Sequence, residues 1–268
     1  MGKGLRRVEV EGHSIAFRSA GRGPVLVLLH GFLCDSRVWR TQFEALAGEF
    51  RVVAWDAPGA GASSDPDEPF AIADWATALI GFLDALEIDQ ASVLGLSWGG
   101  LLAQELYRLV PERIVRLVLA DTYAGWKGSL GAEAARQRLE RCLRESTLPP
   151  VELVRLWVPV DFFTDPTLDL ISEMVEIVSG FHPAGFRLMA KTLAENDTMD
   201  LLSSIEVPVL LMWGEDDARS PLEVAERFRR SIRGAELAVI PGAGHVSNME
   251  QPDAFNAHVR VFCRDSSA

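Results

Sequence analysis

Apolar positions along this chain switch repeatedly between a two-residue and a three-to-four-residue rhythm. Residues 6–19 alternate apolar and polar on either side of Glu11-Gly12-His13, the pattern of an antiparallel hairpin. Val25 to Leu29 is an unbroken apolar run, as expected of a strand covered on both faces. Ser36 to Gly48 has helical spacing, with Val38, Trp39, Phe43 and Leu46 on one side. Arg51 to Trp55 is the next strand, and Phe70 to Leu86 the next amphipathic helix. Ser92 to Leu94, Ile114 to Ala120, Val207 to Trp213 and Leu237 to Ile240 read as further buried strands. Strands alternating with helices at this spacing predict an α/β fold with a mainly parallel sheet, helices on both faces and right-handed crossovers.

The alternation stops between Asp121 and Glu206. That stretch holds helical patterns at Gly131 to Glu145, Pro150 to Trp157, Pro166 to Ser179 and Pro183 to Ala194, punctuated by prolines. The reading is a core of residues 1–121 and 206–268, interrupted by a helical lid over residues 122–205. Such a lid belongs over the C-terminal strand ends, where open α/β sheets bind ligands.

Chemistry enters at Ala91-Ser-Val-Leu-Gly-Leu-Ser-Trp-Gly-Gly100. A buried strand runs through Gly-x-Ser-x-Gly into the apolar helical run Leu101 to Val110, which Pro111 stops. Gly95 and Gly99 carry no Cβ, so Ser97 can sit on a tight turn with its hydroxyl beside a helix N-terminus. A serine hydroxyl is a poor nucleophile unless a base takes its proton and an acid orients that base. Two later strand ends offer both. Val207 to Trp213 leads into Gly214-Glu-Asp-Asp-Ala-Arg-Ser-Pro221, and Leu237 to Ile240 leads into Pro241-Gly-Ala-Gly-His245. Val25 to Leu29 leads into His30-Gly31-Phe32, where Gly31 lets the backbone present N–H groups.

His245 is the expected base. His13 and His258 fall on hairpin and helix patterns, His30 is placed to buttress its own loop, and His182 reads as a capping or surface residue. Asp216 and Asp217 compete for the acid, with Asp121 as an outside candidate whose ordinary role is to cap the turn beyond its strand. The backbone N–H groups of Phe32 and Trp98 are the expected oxyanion donors. Leu33, Trp126, Trp157, Phe162, Phe163 and Val246 are the candidate pocket residues, and the Trp98 indole is expected to narrow the acyl side.

At 268 residues, 48% of them apolar, the chain can hold one large domain or a core with an insertion. Acidic residues outnumber basic ones, for a net charge of −12, so nucleic acid and anionic membrane are not expected partners. No window is apolar enough for a transmembrane helix. The charged MGKGLRRVEVEG start lacks an apolar core, so no secretory signal is expected. Gly2 is not read as a myristoylation site, because Arg6 stands where Ser or Thr is needed. Cys34, Cys142 and Cys263 are far apart, which suits a reducing compartment, hence the cytoplasm, and gives no metal spacing. No metal and no cofactor is expected.

HGF at 30–32, DAPGAGAS at 56–63, GLSWGG at 95–100, GEDDARSP at 214–221 and GAGH at 242–245 together resemble the α/β-hydrolase fold enzymes over essentially the whole chain. The elbow and the Val118-Leu-Ala-Asp-Thr122 strand end are similar to those of 3-oxoadipate enol-lactonases and cofactor-free haloperoxidases. The resemblance implies the acid is Asp217, three residues after Gly214 and four before Pro221. It also implies a serine hydrolase of small carboxylic esters or lactones acting through an acyl-enzyme. The rival chemistries on the same triad are carbon–carbon bond hydrolysis, disfavoured by Leu96 before the nucleophile, and perhydrolysis. A triad-bearing ligand receptor and a biosynthetic cyclase or acyltransferase are the readings from another class.

Overall fold

The computed structural model describes residues 4–264; Gly2 lies outside them. Strands β1 (Arg6–Val10) and β2 (His13–Ala20) form the expected hairpin. Its two-residue turn, Glu11-Gly12, has φ of 49° and 88°, the double positive φ that keeps hairpin twist right-handed. The rest of the sheet comprises β3 (Val25–Leu29), β4 (Arg51–Trp55), β5 (Ala91–Leu96), β6 (Ile114–Ala120), β7 (Val209–Gly214) and β8 (Glu236–Ile240). Their spatial order is β1-β2-β4-β3-β5-β6-β7-β8, antiparallel through β4 and parallel from there on.

Along the first half of the chain the helices are α1 (Arg40–Leu46), α2 (Ile72–Ala85) and α3 (Trp98–Leu109). Between β6 and β7 run α4 (Gly125–Leu130), α5 (Ala132–Glu145), α6 (Pro150–Trp157), α7 (Leu168–Val178), α8 (Pro183–Glu195) and α9 (Met199–Leu202). Then α10 (Leu222–Ser231) joins β7 to β8, and α11 (Ser247–Glu250) and α12 (Pro252–Arg264) follow. Packing pairs α2 with α3 and α1 with α12.

Several boundaries shift by one or two residues from the sequence reading, and two differences have a local cause. The helix expected over 36–48 is split, because Asp35 accepts from the Arg37 N–H at 2.8 Å and tightens Ser36–Trp39 into a 3₁₀ turn before α1. Strand β7 starts at Val209 and not Val207, since Pro208 has no N–H to pair. The pattern left α4, α9, α10 and α11 unassigned; α4, α9 and α11 are too short to show a period.

Every residue of β5 and β7 is buried, which explains their unbroken apolar character. Leu29 pairs with Gly95, Leu96 with Ala120, and Gly214 with Ile240. The segments after β3, β5, β6, β7 and β8 therefore leave the sheet along one edge. The chain switches from β4 back across β3 to β5, so the strand order reverses at this edge, where such sheets open a crevice.

Candidate active site

Ser97 is the single residue between β5 and α3, with φ 52° and ψ −114°, a conformation side chains rarely adopt. Its backbone is held on both sides. The Ser97 N–H donates to Ala120 O at 2.8 Å, and Thr122 Oγ1 donates to Ser97 O at 2.5 Å. The turn admits only glycine at its two flanks. A Cβ on Gly95 would stand 2.3 Å from Gly99 O, and one on Gly99 only 2.2 Å from Leu29 O. The surrounding bonds over-determine the strain and hold the hydroxyl proud of the strand.

His245 Nε2 lies 2.9 Å from Ser97 Oγ, and His245 Nδ1 lies 2.8 Å from Asp217 Oδ2. A carboxylate only accepts, so Nδ1 carries the proton and Nε2 faces the hydroxyl as an acceptor. The second Asp217 oxygen accepts from the N–H groups of Arg219 and Ser220, both at 2.9 Å, which fixes the carboxylate plane. Asp216 is exposed and Asp217 is 4% exposed, and it is Asp217 that reaches His245. Burial pushes the His245 imidazole below its ordinary value, with the Asp217 charge opposing that shift. The ring therefore rests neutral beside the hydroxyl.

Asp121 does not cap the turn beyond its strand. It accepts from the Gly214 N–H at 2.8 Å and from the Ser247 hydroxyl at 2.6 Å, fastening the end of β6 to β7 and α11. Burial, with the nearby Asp217 charge adding to it, holds its carboxyl well above the usual range. Of the other histidines, His30 accepts from the Ala57 N–H at 3.0 Å through Nε2, so Nδ1–H donates to Gly31 O at 2.9 Å and braces the loop. His182 bridges Asp65 at 2.6 Å and Gly61 O at 3.0 Å. His13 packs on Phe70, and His258 is exposed.

Gly31 brings its loop against Ser97: a Cβ there would lie 3.3 Å from Ser97 Cβ. Among the described residues the backbone N–H groups of Phe32 and Trp98 are not engaged in a turn or loop hydrogen bond to the backbone.

A small cavity opens on Ser97 and His245. Phe32, Trp126, Phe162 and Val246 line it, together with Tyr123, Leu193 and Arg219, which the sequence reading missed. Tyr123 and Arg219 had a signal, since each lies two residues beyond a strand-end aspartate. Leu193 had none, because only chain folding carries α8 over the site. Leu33, Trp157 and Phe163 do not line this cavity. Leu33 faces a neighbouring small cavity that shares Cys34 as its wall, and Trp157 packs behind Phe32 at 5.7 Å. The expectation that the Trp98 indole narrows the acyl side is also corrected. Trp98 is the first residue of α3 and points away, edge-on to Trp75 at 5.3 Å, with Nε1 donating to Thr192 Oγ1 at 3.0 Å. Among the described residues no cluster of His, Cys, Asp and Glu is fit to hold a metal ion, and no helix is long and apolar enough to cross a membrane.

This arrangement of sheet, elbow and strand-end loops defines an α/β hydrolase. Residues 26–258 match the Alpha/beta hydrolase family, and the chain belongs to it. It is similar to 3-oxoadipate enol-lactonase 2 of Acinetobacter baylyi, at 30% identity over 89% of this chain and 88% of that one. Among solved structures it is similar to a thermophilic esterase from Thermogutta terrifontis in a malate-bound form, with a TM-score of 0.87 and 30% identity, covering 97% of this chain and 98% of the other. The enol-lactonase from Burkholderia xenovorans LB400 matches with a TM-score of 0.86 and 25% identity, covering 96% and 99%.

Proposed function

We propose that the protein is a serine hydrolase that cleaves small carboxylic esters or lactones through an acyl-enzyme. The observation that carries this reading is the continuous relay from Asp217 through His245 to Ser97, at 2.8 and 2.9 Å. An α/β hydrolase related to enol-lactonases and esterases acts on ester-type bonds, and the relay supplies the means. Ser97 Oγ attacks the carbonyl carbon while His245 Nε2 takes its proton. The developing oxyanion is held by the N–H groups of Phe32 and Trp98, each such donor contributing about 3–4 kcal/mol to the transition state. His245 then protonates the leaving alkoxide. Water, deprotonated by the same nitrogen, releases the acid and restores the serine. Asp217 keeps the imidazole in the productive tautomer and stabilises its cation without itself taking the proton.

We assign residues 122–205 as a lid on the core of residues 1–121 and 206–268. Trp126, Phe162 and Leu193 close the cavity from this segment, and apolar walls reward hydrocarbon surface on the substrate at about 25 cal/mol per Å². The substrate is a small molecule that the lid must admit. A cytoplasmic setting agrees with three free, buried cysteines. The test is a fluorophosphonate probe on wild type and Ser97→Ala, run beside chromogenic esters from acetate to decanoate and several lactones. Labelling confined to Ser97 and turnover in either series are the expected results; equal labelling of Ser97→Ala ends the proposal.

A further inference from the structure

Glu250 ends α11, shortly beyond His245, and its carboxylate accepts from three backbone N–H groups. One oxygen takes those of Thr164 and Asp165, at 2.7 and 2.8 Å. The other takes that of Gly244, at 2.7 Å. Thr164 and Asp165 belong to the stretch assigned above as the lid, and Gly244 immediately precedes His245. A single carboxylate thus ties the lid to the loop that carries the base. Such charge-assisted bonds are stronger than those between neutral groups, and the buried Gly244 N–H needs a partner.

The same two segments also touch directly, on both sides of His245. The Val246 N–H donates to Phe162 O at 3.3 Å. On the other side, a Cβ added to Gly244 would stand 3.1 Å from Phe162 O and from Thr164 N, so the lid backbone lies against the loop. Opposite the lid, the loop meets the end of β7. A Cβ on Gly214 would stand 2.2 Å from Gly244 O, and the Asp216 N–H donates to Ala243 O at 2.9 Å. The His245 loop is therefore a middle layer between the strand end that leads to Asp217 and residues 162–165. Phe162 is also a wall of the cavity on Ser97. Any motion that lifts residues 162–165 opens that wall and uncovers the His245 loop together.

We propose that Glu250 is a positioning residue that couples closure of the lid to placement of His245. With residues 162–165 seated, its carboxylate is fixed by three donors and holds Gly244, and His245 Nε2 stands 2.9 Å from Ser97 Oγ. With them lifted, the carboxylate keeps Gly244 but loses the two N–H groups that fix its plane, and the loop loses Phe162. The imidazole then reaches Ser97 in full register only when Phe162 has closed over the substrate. A displacement of about 1 Å is enough to lower a rate on the order of 100-fold. The use of this coupling in catalysis rests on the serine-hydrolase reading above; the coupling itself does not.

The test uses the full chain as wild type, Glu250→Ala and Glu250→Gln. Amide hydrogen exchange read by NMR should show Thr164, Asp165 and Gly244 opening together in wild type. Glu250→Ala should speed all three by roughly tenfold or more, and Glu250→Gln, with one acceptor oxygen left, should fall between. The downfield Nδ1–H resonance of His245, which reports its bond to Asp217, should broaden in Glu250→Ala and persist in Glu250→Gln. On 4-nitrophenyl acetate, Glu250→Ala should lose about 10- to 100-fold in kcat, with a much smaller change in KM. The rate of fluorophosphonate labelling at Ser97 should fall in step. If Glu250→Ala does not fold, Glu250→Gln carries the same measurements, and exchange rates equal to wild type overturn the coupling. If wild type turns over no ester and Ser97 escapes the probe, only the hydrolase reading falls, and the exchange and resonance data still decide the coupling. A folded Glu250→Ala with kcat and labelling rate within about twofold of wild type overturns the positioning role. Gly244 exchanging slowly while Thr164 and Asp165 speed up does so as well, and leaves the hydrolase standing.

Discussion

The indole of Trp98 reaches across 94 positions of sequence to donate to Thr192 Oγ1 at 3.0 Å, tying the residue after Ser97 to α8. The same ring lies edge-on to Trp75, an arrangement worth about 0.5–1.5 kcal/mol beyond its burial. Trp98 thus joins three helices. Trp98→Ala should destabilise the protein by about 3–5 kcal/mol, because a fully buried indole and its hydrogen bond are both lost. Denaturant unfolding measures that cost. The chain-length profile of ester turnover should survive in the folded fraction, whereas Trp126→Ala, in the cavity wall, should shift it toward longer acyl groups. A profile that moves with Trp98 and not with Trp126 contradicts the placement of these two rings.

Ser97→Ala should keep its fold and lose turnover by several orders of magnitude. The elbow is held by backbone bonds to Ala120 and from Thr122, not by the hydroxyl, and Ser97 is 5% exposed rather than surface-facing. Asp217→Asn should lower turnover by about 10⁴ through the wrong imidazole tautomer. Asp216→Asn should change it little, since that side chain faces solvent. Steady-state kinetics on one chromogenic ester distinguishes the three, and a larger loss at Asp216 moves the acid.

The pH profile follows from burial of His245. The imidazole works as a base only when neutral, so kcat/KM should rise with pH through its titration. Because burial lowers that titration below the ordinary 6.5, half-maximal activity should fall below pH 6.5 and the rate should be level near pH 7. Stability carries the matching sign. In the unfolded chain His245 takes its proton near 6.5, while the folded ring resists until lower pH, so this residue's contribution to stability falls as pH drops below 6.5. A kcat/KM profile still rising steeply above pH 7.5 contradicts the assignment of His245 as a neutral, buried base.

Asp121→Ala should cost about 2–4 kcal/mol of stability, because it strands the buried Gly214 N–H and the Ser247 hydroxyl. Asp121→Asn should cost less, since its carbonyl oxygen can still accept from Gly214. The raised carboxyl adds a pH signature: its stability contribution shrinks as pH rises through the folded-state value. Urea midpoints for wild type and Asp121→Asn at pH 5 and pH 8 check the sign, and a wild-type advantage that grows toward pH 8 contradicts it.

Much of this molecule was legible in residue order because its signals are local. Period-two and period-3.6 spacing is a property of ten or fifteen consecutive residues, and it outlined the hairpin, the strands and α5 to α8 to within two residues. The elbow was legible for the same reason: Gly95, Ser97 and Gly99 form their turn with each other. What required tertiary structure was every choice made between distant segments. Asp217 and Asp216 are adjacent and chemically identical, and only the approach of the His245 loop, 28 residues on, separates a buried partner from a solvated one. Whether an aromatic ring faces substrate or core depends on which helix lands beside it. Trp98 turned to α8, Trp157 packed behind Phe32, and Trp126 kept its place in the cavity.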